Sequence, residues 1–275
     1  MQITWSLFPK AYPHFGVAEL AALVQEVGLD TTNVVIRAGY PVQPASLAAD
    51  LPPFVKSLRA AGLPVHFATT GLSAAEIIAN PDLIALLGDN GLTEFRLDHF
   101  RLTGPDVRGA LRQARLQLET LAPLCERAGT RAVYQVHQNT LISSASAVWP
   151  LVAGLPAQWI GVELDPGNQT FEGYEAWNYA VPLLGEYLIV AAIKDTGLTQ
   201  NSAFLEETNK GWRREWRPID EGVVNWREFA RALAQNEFQG TFVFMPFYHA
   251  DEPEKVTKIL KREVAYLRGI INELV

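Results

Sequence analysis

An α/β fold closed as a single (β/α)₈ barrel is the fold class predicted here, and three observations carry it. Eight short β-branched or aromatic runs alternate with helical-period segments from one end of the chain to the other, the pattern of βαβ units around a parallel sheet. The chain has 275 residues, 48% of them hydrophobic, which is enough for one core of that kind. No glycine-rich dinucleotide turn follows a strand, which favours a closed barrel over an open sheet.

In order, the predicted strands are Ile3–Phe8, Thr32–Arg37, Pro64–Ala68, Glu94–Asp98, Ala132–His137, Trp159–Asp165, Leu188–Lys194 and Thr241–Phe247. The first begins at the amino terminus without a basic leader, so it reads as a strand and not a signal peptide. Between the fourth and fifth, Val107, Leu111, Ala114, Leu118, Leu121 and Cys125 recur at i+3 and i+4 for five turns and stop at Gly129. After the eighth, Val256, Ile259, Leu260, Val264, Leu267 and Ile271 form one stripe, with Lys255, Lys258, Lys261 and Arg262 turned to solvent. The phrases Ala61-Gly62-Leu63-Pro64, Ala128-Gly129-Thr130 and Phe238-Gln239-Gly240-Thr241 each read as a helix C-cap feeding the next strand. Residues 1–275 therefore read as one domain without a linker. The long connection from Thr196 to Val224, after the seventh strand, is an insertion of the kind that often sits over a site.

Composition narrows the partners. A formal charge of −7 argues against nucleic acid, whose phosphates call for clustered Lys and Arg. No run approaches the ~20 apolar residues of a membrane span. The single cysteine, Cys125, lies in a helical pattern among leucines, so it reads as packing in a reducing compartment. The expectation is a soluble cytoplasmic protein with a small-molecule ligand, no nucleic acid and no membrane, able to form a homo-oligomer.

A barrel of this kind carries its site at the carboxyl ends of the strands. Read off the sequence, those ends hold Arg37, His66, Arg96, Asp98, Gln135, His137, Glu163, Asp165, Asn168, Lys194, Asp195 and Tyr248. Residues two apart on a strand share a face, which groups Arg96 with Asp98, Gln135 with His137, Glu163 with Asp165, and Ala192 with Lys194. A carboxylate as deep as Glu163 then needs a cation or several donors.

Four stretches resemble one superfamily. Val162-Glu163-Leu164-Asp165-Pro166-Gly167-Asn168 resembles the sixth-strand motif of the xylose-isomerase-like TIM-barrel sugar phosphate isomerases and epimerases. Ile193-Lys194-Asp195 is similar to the end of their seventh-strand His-x-Lys-Asp. Tyr134-Gln135-Val136-His137 is similar to their fifth-strand Glu-x-His. Gly222-Val223-Val224-Asn225-Trp226, with Phe238-Gln239-Gly240-Thr241 beyond it, resembles their approach to the eighth strand. The order holds over the whole chain and is clearest from residue 128 to 247.

The resemblance implies carbohydrate chemistry around a divalent metal held by a Glu, an Asp, a His and a second Glu, with carboxylates moving the proton. On this chain those positions are Gln135, Asp165, Ala192 and Met245. An amide, a methyl and a thioether are poor replacements for hard ligands, so no cofactor is expected and the metal site reads as degenerate. A displaced site would need Glu163, Asp165 and His137 together.

The implied function is that of a sugar or sugar phosphate isomerase or epimerase-like protein, acting on or binding a small polyol without the metal. The alternative is a non-catalytic descendant that binds a ligand or partner. An open polar cavity favours the first, a filled mouth the second. The apurinic-endonuclease branch of the superfamily is disfavoured by the acidic balance and the missing ligands.

The catalytic candidates are Asp165, His137 and Lys194; Arg37, Arg96, Gln135, Glu163, Asn168 and Trp212 are the substrate-binding candidates. Each has a plainer alternative. Asp165 could be a turn-forming Asx residue, Lys194 an ion-pair partner of Glu163 or Asp165, and Arg37 and Arg96 partners of Asp98 and Glu163 rather than an anion clamp. His66 reads as an interior histidine. Trp212 and Trp216 either line a sugar-binding lid or pin the insertion down. Tyr248 and His249 read as near solvent.

Overall fold

The computed structural model describes every residue except 174, 207–208, 249–251 and 275. Its strands are β1 Gln2–Leu7, β2 Thr31–Thr32, β3 Val34–Ile36, β4 Phe67–Thr70, β5 Glu94–Arg96, β6 Arg131–Gln135, β7 Ile160–Leu164, β8 Leu188–Ile193, β9 Asp195–Gln200, β10 Trp212–Arg217 and β11 Gln239–Phe244. Nine of them form one parallel sheet in the order β2-β1-β11-β8-β7-β6-β5-β4-β3. Its two ends, β2 and β3, are consecutive in the chain and separated only by Asn33. They are halves of one stave, and the sheet is a nearly closed TIM barrel.

Asn33 interrupts the ladder but bridges across it. Its Oδ1 accepts from Ser6 Oγ at 2.7 Å and its Nδ2 donates to Thr69 Oγ1 at 2.9 Å, tying β1 to β4 inside the barrel. All three side chains are buried, so these bonds satisfy groups that water cannot reach.

Helices cover the outside: α1 Val17–Val27, α2 Leu47–Ala60, α3 Ala74–Ala79, α4 Asp82–Asp89, α5 Val107–Ala128, α6 Ala145–Val152, α7 Pro166–Glu172, α8 Trp177–Leu184, α9 Trp226–Gln235 and α10 Pro253–Asn272. Strand alternation sorts the core into two layers. Val35, Phe67, Val133, Val190, Ala192, Val243 and Met245 fill the barrel interior, and Phe8 joins them. Their neighbours Val34, Ile36, Phe95, Tyr134, Val162, Leu164, Phe242 and Phe244 face outward to the helices. The 22-residue α5 follows the predicted stripe, is capped by Asp106, and buries Cys125, whose thiol burial pushes up to about 12. No helix among the described residues is long and apolar enough to cross a membrane.

Three expectations need correction. The third barrel strand is Phe67–Thr70, not Pro64–Ala68. His66 consequently lies at the amino end of its strand, where its Nε2 meets Thr241 Oγ1 at 3.2 Å, away from the mouth. Gly240 is not a helix C-cap but a residue of β11, and a Cβ there would collide with the Ile189 carbonyl of the adjacent β8. The C-cap of α9 is Asn236. Tyr248 is not near solvent: it is 8% exposed and donates to Glu263 of α10. His249 lies outside the described residues.

The insertion after the seventh stave begins as an antiparallel hairpin in which β9 pairs with β10, Asp195 opposite Arg217 at its base and Gln200 opposite Trp212 at its far end.

Candidate active site at the barrel mouth

Lys194 directly follows β8, one residue before the hairpin starts, and its parity turns it into the barrel. There its Nζ lies 3.1 Å from Asp165 Oδ2. The same oxygen accepts from Gln135 Nε2 at 2.6 Å and Asn168 Nδ2 at 2.7 Å. Asp165 Oδ1 accepts the Asn168 backbone N–H at 2.8 Å, which caps α7. Both oxygens of this fully buried carboxylate are thus committed. The ammonium is roofed by aromatic rings, 4.4 Å from the centre of Trp216 and 5.2 Å from Phe247. Burial pulls the Lys194 ammonium below the usual lysine range, while the adjacent Asp165 opposes that pull.

Glu163 lies two residues earlier on the same face of β7, one layer deeper. Its nearest cation is Arg96, with 4.0 Å between Nη1 and Oε1, and neither carboxylate oxygen has a hydrogen-bond partner. Burial drives the Glu163 carboxyl up to about 7, with Asp165 adding to the rise and Arg96 opposing it.

Above these pairs opens a cavity of about 510 Å³. Arg37, Arg96, Gln135, His137 and Lys194 line it among the predicted residues, whereas Asp165, Glu163 and Asn168 support it from beneath. His137 Nδ1 is 2.7 Å from the Gln138 carbonyl oxygen. A carbonyl can only accept, so Nδ1 holds the proton and a neutral His137 presents its lone pair at Nε2. Its ring packs on His99 with centroids 4.3 Å apart. Burial lowers both histidines, His99 to about 3, with His137 and Arg96 adding to its shift. Both rings are therefore neutral at ordinary pH.

The remaining candidates fall elsewhere. Trp212 is 46% exposed at the far end of the hairpin. Trp216 at the near end packs on Phe171 of α7, centroids 5.3 Å apart, and on Phe247. Asp98 does line the cavity, but it pairs with Arg101 at 2.7 Å, not with Arg96 or Arg37. Asp195 turns outward and accepts from the backbone N–H groups of Thr196, Val223 and Val224 and from Trp226 Nε1 at 2.8 Å. It clasps the end of the insertion to the barrel, and a Cβ on Gly222 would strike its carboxylate. Two lining residues, Lys10 and His99, went unnoticed in the sequence. Each directly follows or nearly follows a predicted strand end, which is the signal that could have found them.

A family profile described as the xylose isomerase-like TIM barrel matches residues 21–270. The chain belongs to this family. No curated protein matches it at a significant level. Solved structures with the same fold include the IOLI protein with a bound zinc atom, 13% identical with a TM-score of 0.75 over 100% of this chain and 99% of that one. D-psicose 3-epimerase in the presence of D-fructose is 14% identical, TM-score 0.73, over 98% and 99% of the two chains. The probable 3-DHS dehydratase AsbF of Bacillus anthracis is 14% identical, TM-score 0.70, over 96% and 98%.

In this xylose isomerase-like barrel the four positions matched to metal ligands come together. Gln135 Nε2 bonds Asp165 and also lies 3.9 Å from Met245 Sδ, while Ala192 and Met245 sit in one interior cluster. Among the described residues, no three His, Cys, Asp or Glu side chains are gathered so as to hold one ion, Glu163, Asp165 and His137 included.

Proposed function

We propose that the barrel mouth binds a small sugar-like polyol and that His137 moves a proton on it without a divalent metal. The observation that carries this is the open, charged cavity into which a neutral imidazole of fixed tautomer projects. A base must stand within reach of the proton it takes and be unprotonated when it does so, and His137 meets the second condition by burial. Taking the proton from a carbon next to a carbonyl leaves negative charge on the carbonyl oxygen. Arg96 and Lys194 supply positive charge on that cavity wall. Returning the proton from His137 to the neighbouring, former carbonyl carbon, while the hydroxyl proton of the first carbon passes to the former carbonyl oxygen, would give an isomer. An epimer needs solvent to protonate the first carbon from its other face, with His137 giving its proton up to solvent. Asp165 is a positioning residue, holding Gln135 and Lys194 in place.

A hard dication does not fit the donors present. Asp165 Oδ2 already accepts from three N–H groups, one of them a cation. Gln135 turns its amide nitrogen toward that oxygen, Ala192 has no ligand atom, and Met245 offers a soft thioether. Chemistry routed through His137 suits a family member that holds an amide, a methyl and a thioether at Gln135, Ala192 and Met245. The pairing of Lys194 with Asp165 also favours a second reading, binding without turnover.

Solvent exchange separates the two. Ketoses and inososes incubated with the protein in D₂O gain deuterium at carbon, and His137→Asn slows this by about 10²–10⁴-fold while ligand binding persists. Activity survives chelation, and the purified protein carries no stoichiometric metal. Binding without exchange establishes the second reading; exchange abolished by EDTA and restored by Mn²⁺ overturns the metal-free mechanism.

A further inference from the structure

The two aromatic rings at the mouth, Phe8 and Phe247, meet edge to face with centroids 5.7 Å apart, and four cations surround them. Arg37 and Arg96 lie 5.7 and 5.3 Å from the centre of Phe8, and Lys10 and Lys194 lie 4.8 and 5.2 Å from that of Phe247. These cations are not equivalent. Lys194 is neutralised by Asp165 and Arg96 faces Glu163, but neither Lys10 nor Arg37 has a carboxylate within ion-pair distance among the described residues. Arg37 Nε is buried without a hydrogen-bond acceptor.

The carboxylates of the cavity wall are already engaged. Asp98 is bound to Arg101, and Glu76 accepts from the Ser73 N–H and hydroxyl in the capping box of α3. The wall as a whole carries Lys10, Arg37, Arg96, Arg101 and Lys194 against Glu76 and Asp98, in a chain whose net charge is −7. Positive charge is therefore concentrated where the molecule is open and absent from its average. Like charges held this close repel, and the side-chain basicities record it: burial, then Arg37 and Arg96, depress Lys10, and burial, then Arg96, depress Arg37. An anionic oxygen group placed between Lys10 and Arg37 would remove that repulsion.

We infer that Lys10 and Arg37, with Arg96 beside them, form an anion clamp, so that the polyol taken at this mouth carries a phosphate or carboxylate group. The inference rests on the proposed polyol-binding function and adds its substrate class. It places the anionic end against the Phe8 side of the cavity and leaves the uncharged carbons to His137.

Calorimetric titration of the wild-type protein with inorganic phosphate, gluconate and the neutral polyol glucitol tests it. At least one anion binds tenfold or more tightly than glucitol, and that preference shrinks as salt rises. The anion that wins distinguishes phosphate from carboxylate recognition. Arg37→Met weakens the anion at least about tenfold more than it weakens glucitol, while Arg37→Lys recovers part of the loss. Lys10→Met, which keeps an unbranched side chain to pack on Phe247, weakens the anion in the same direction. Glucitol binding as tightly as both anions, or anion binding indifferent to Arg37→Met and Lys10→Met, overturns the clamp while leaving the polyol function standing. Failure of all three probes to bind overturns both.

Discussion

The two sides of the mouth hold similar numbers of charged and polar groups and use them in opposite ways. On the side built by β6, β7 and β8, Asp165 gathers Gln135, Asn168 and Lys194 into a network with no free carboxylate oxygen. On the side built by the ends of β1, β3 and β5, Lys10 and Arg37 have no counter-ion, and Arg37 Nε no acceptor, among the described residues. Buried charge that is satisfied internally holds a fold in one arrangement, whereas charge left unsatisfied beside a cavity awaits a ligand. The first side carries the resemblance drawn from the sequence, and its polar groups brace one another. The second holds the proposed anion clamp.

The sharpest way to break that contrast is to remove one cation from each side. Lys194→Met strands the Asp165 carboxylate in the interior with only neutral donors, and the expected loss of stability is about 3–5 kcal/mol. Arg37→Met removes a repelled cation at the rim, and its effect on stability is expected within about 0.5 kcal/mol. Urea denaturation of both variants gives the comparison directly. Equal losses would mean that the two sides are not specialised as described.

Acidity sharpens the comparison further. Glu163 lies on the braced side yet has no hydrogen bond, and its folded carboxyl is raised to about 7 from an ordinary 4.5. Between those values the unfolded chain has released this proton while the native state keeps it, so stability falls as pH rises through the interval and levels off above about 7. Glu163→Gln cannot ionise and lacks that slope. Relative to the wild type, the variant gains about 2–3 kcal/mol between pH 5 and pH 8. Other groups raised by burial, Asp195 to about 6 and Glu263 to about 8, are common to both proteins and cancel. Parallel stability profiles for the two proteins would show that Glu163 ionises normally.

How far the site could be read from the sequence follows from the range of each interaction. Period-two alternation is local, and it grouped Arg96 with Asp98, Gln135 with His137, Glu163 with Asp165 and Ala192 with Lys194; Asp195, read with the strand-end residues, has the opposite parity and turns outward. Strand ends are less local. Leu63 and Val65 are buried below the barrel and look like strand residues, so the third strand was set three residues early and His66 placed at the wrong end, although Thr69 and Thr70 were there to extend it. Lys10 and His99 belong to no periodic pattern and line the cavity only because their strands end where they do. Whether Lys194 meets Asp165 depends on how β8 lies beside β7, which no local pattern encodes. The contacts that Gln135 makes with Asp165 and Met245 were visible only in three dimensions.

The smallest expected effect separates the two tryptophans of the hairpin. Trp216 lies over the Lys194 ammonium and against Phe171 and Phe247, so it seals the braced side from water. Trp212 sits 46% exposed at the other end of the same strand and seals nothing. A cation–π contact in a desolvated setting contributes up to about 2 kcal/mol, and the expected cost of Trp216→Ala is about 1–2 kcal/mol against less than about 0.5 for Trp212→Ala. Stability alone would leave the cause open, because any large side chain packs against something. The reactivity of Lys194 toward an amine-acetylating reagent, read by mass spectrometry, isolates the sealing role. Lys194 is protected in the wild type and in Trp212→Ala, and it becomes reactive in Trp216→Ala because water and reagent now reach the ammonium. Unchanged protection in that variant would mean that Asp165 and the barrel wall shield the lysine by themselves, and that the hairpin contributes packing but no cover to the braced side.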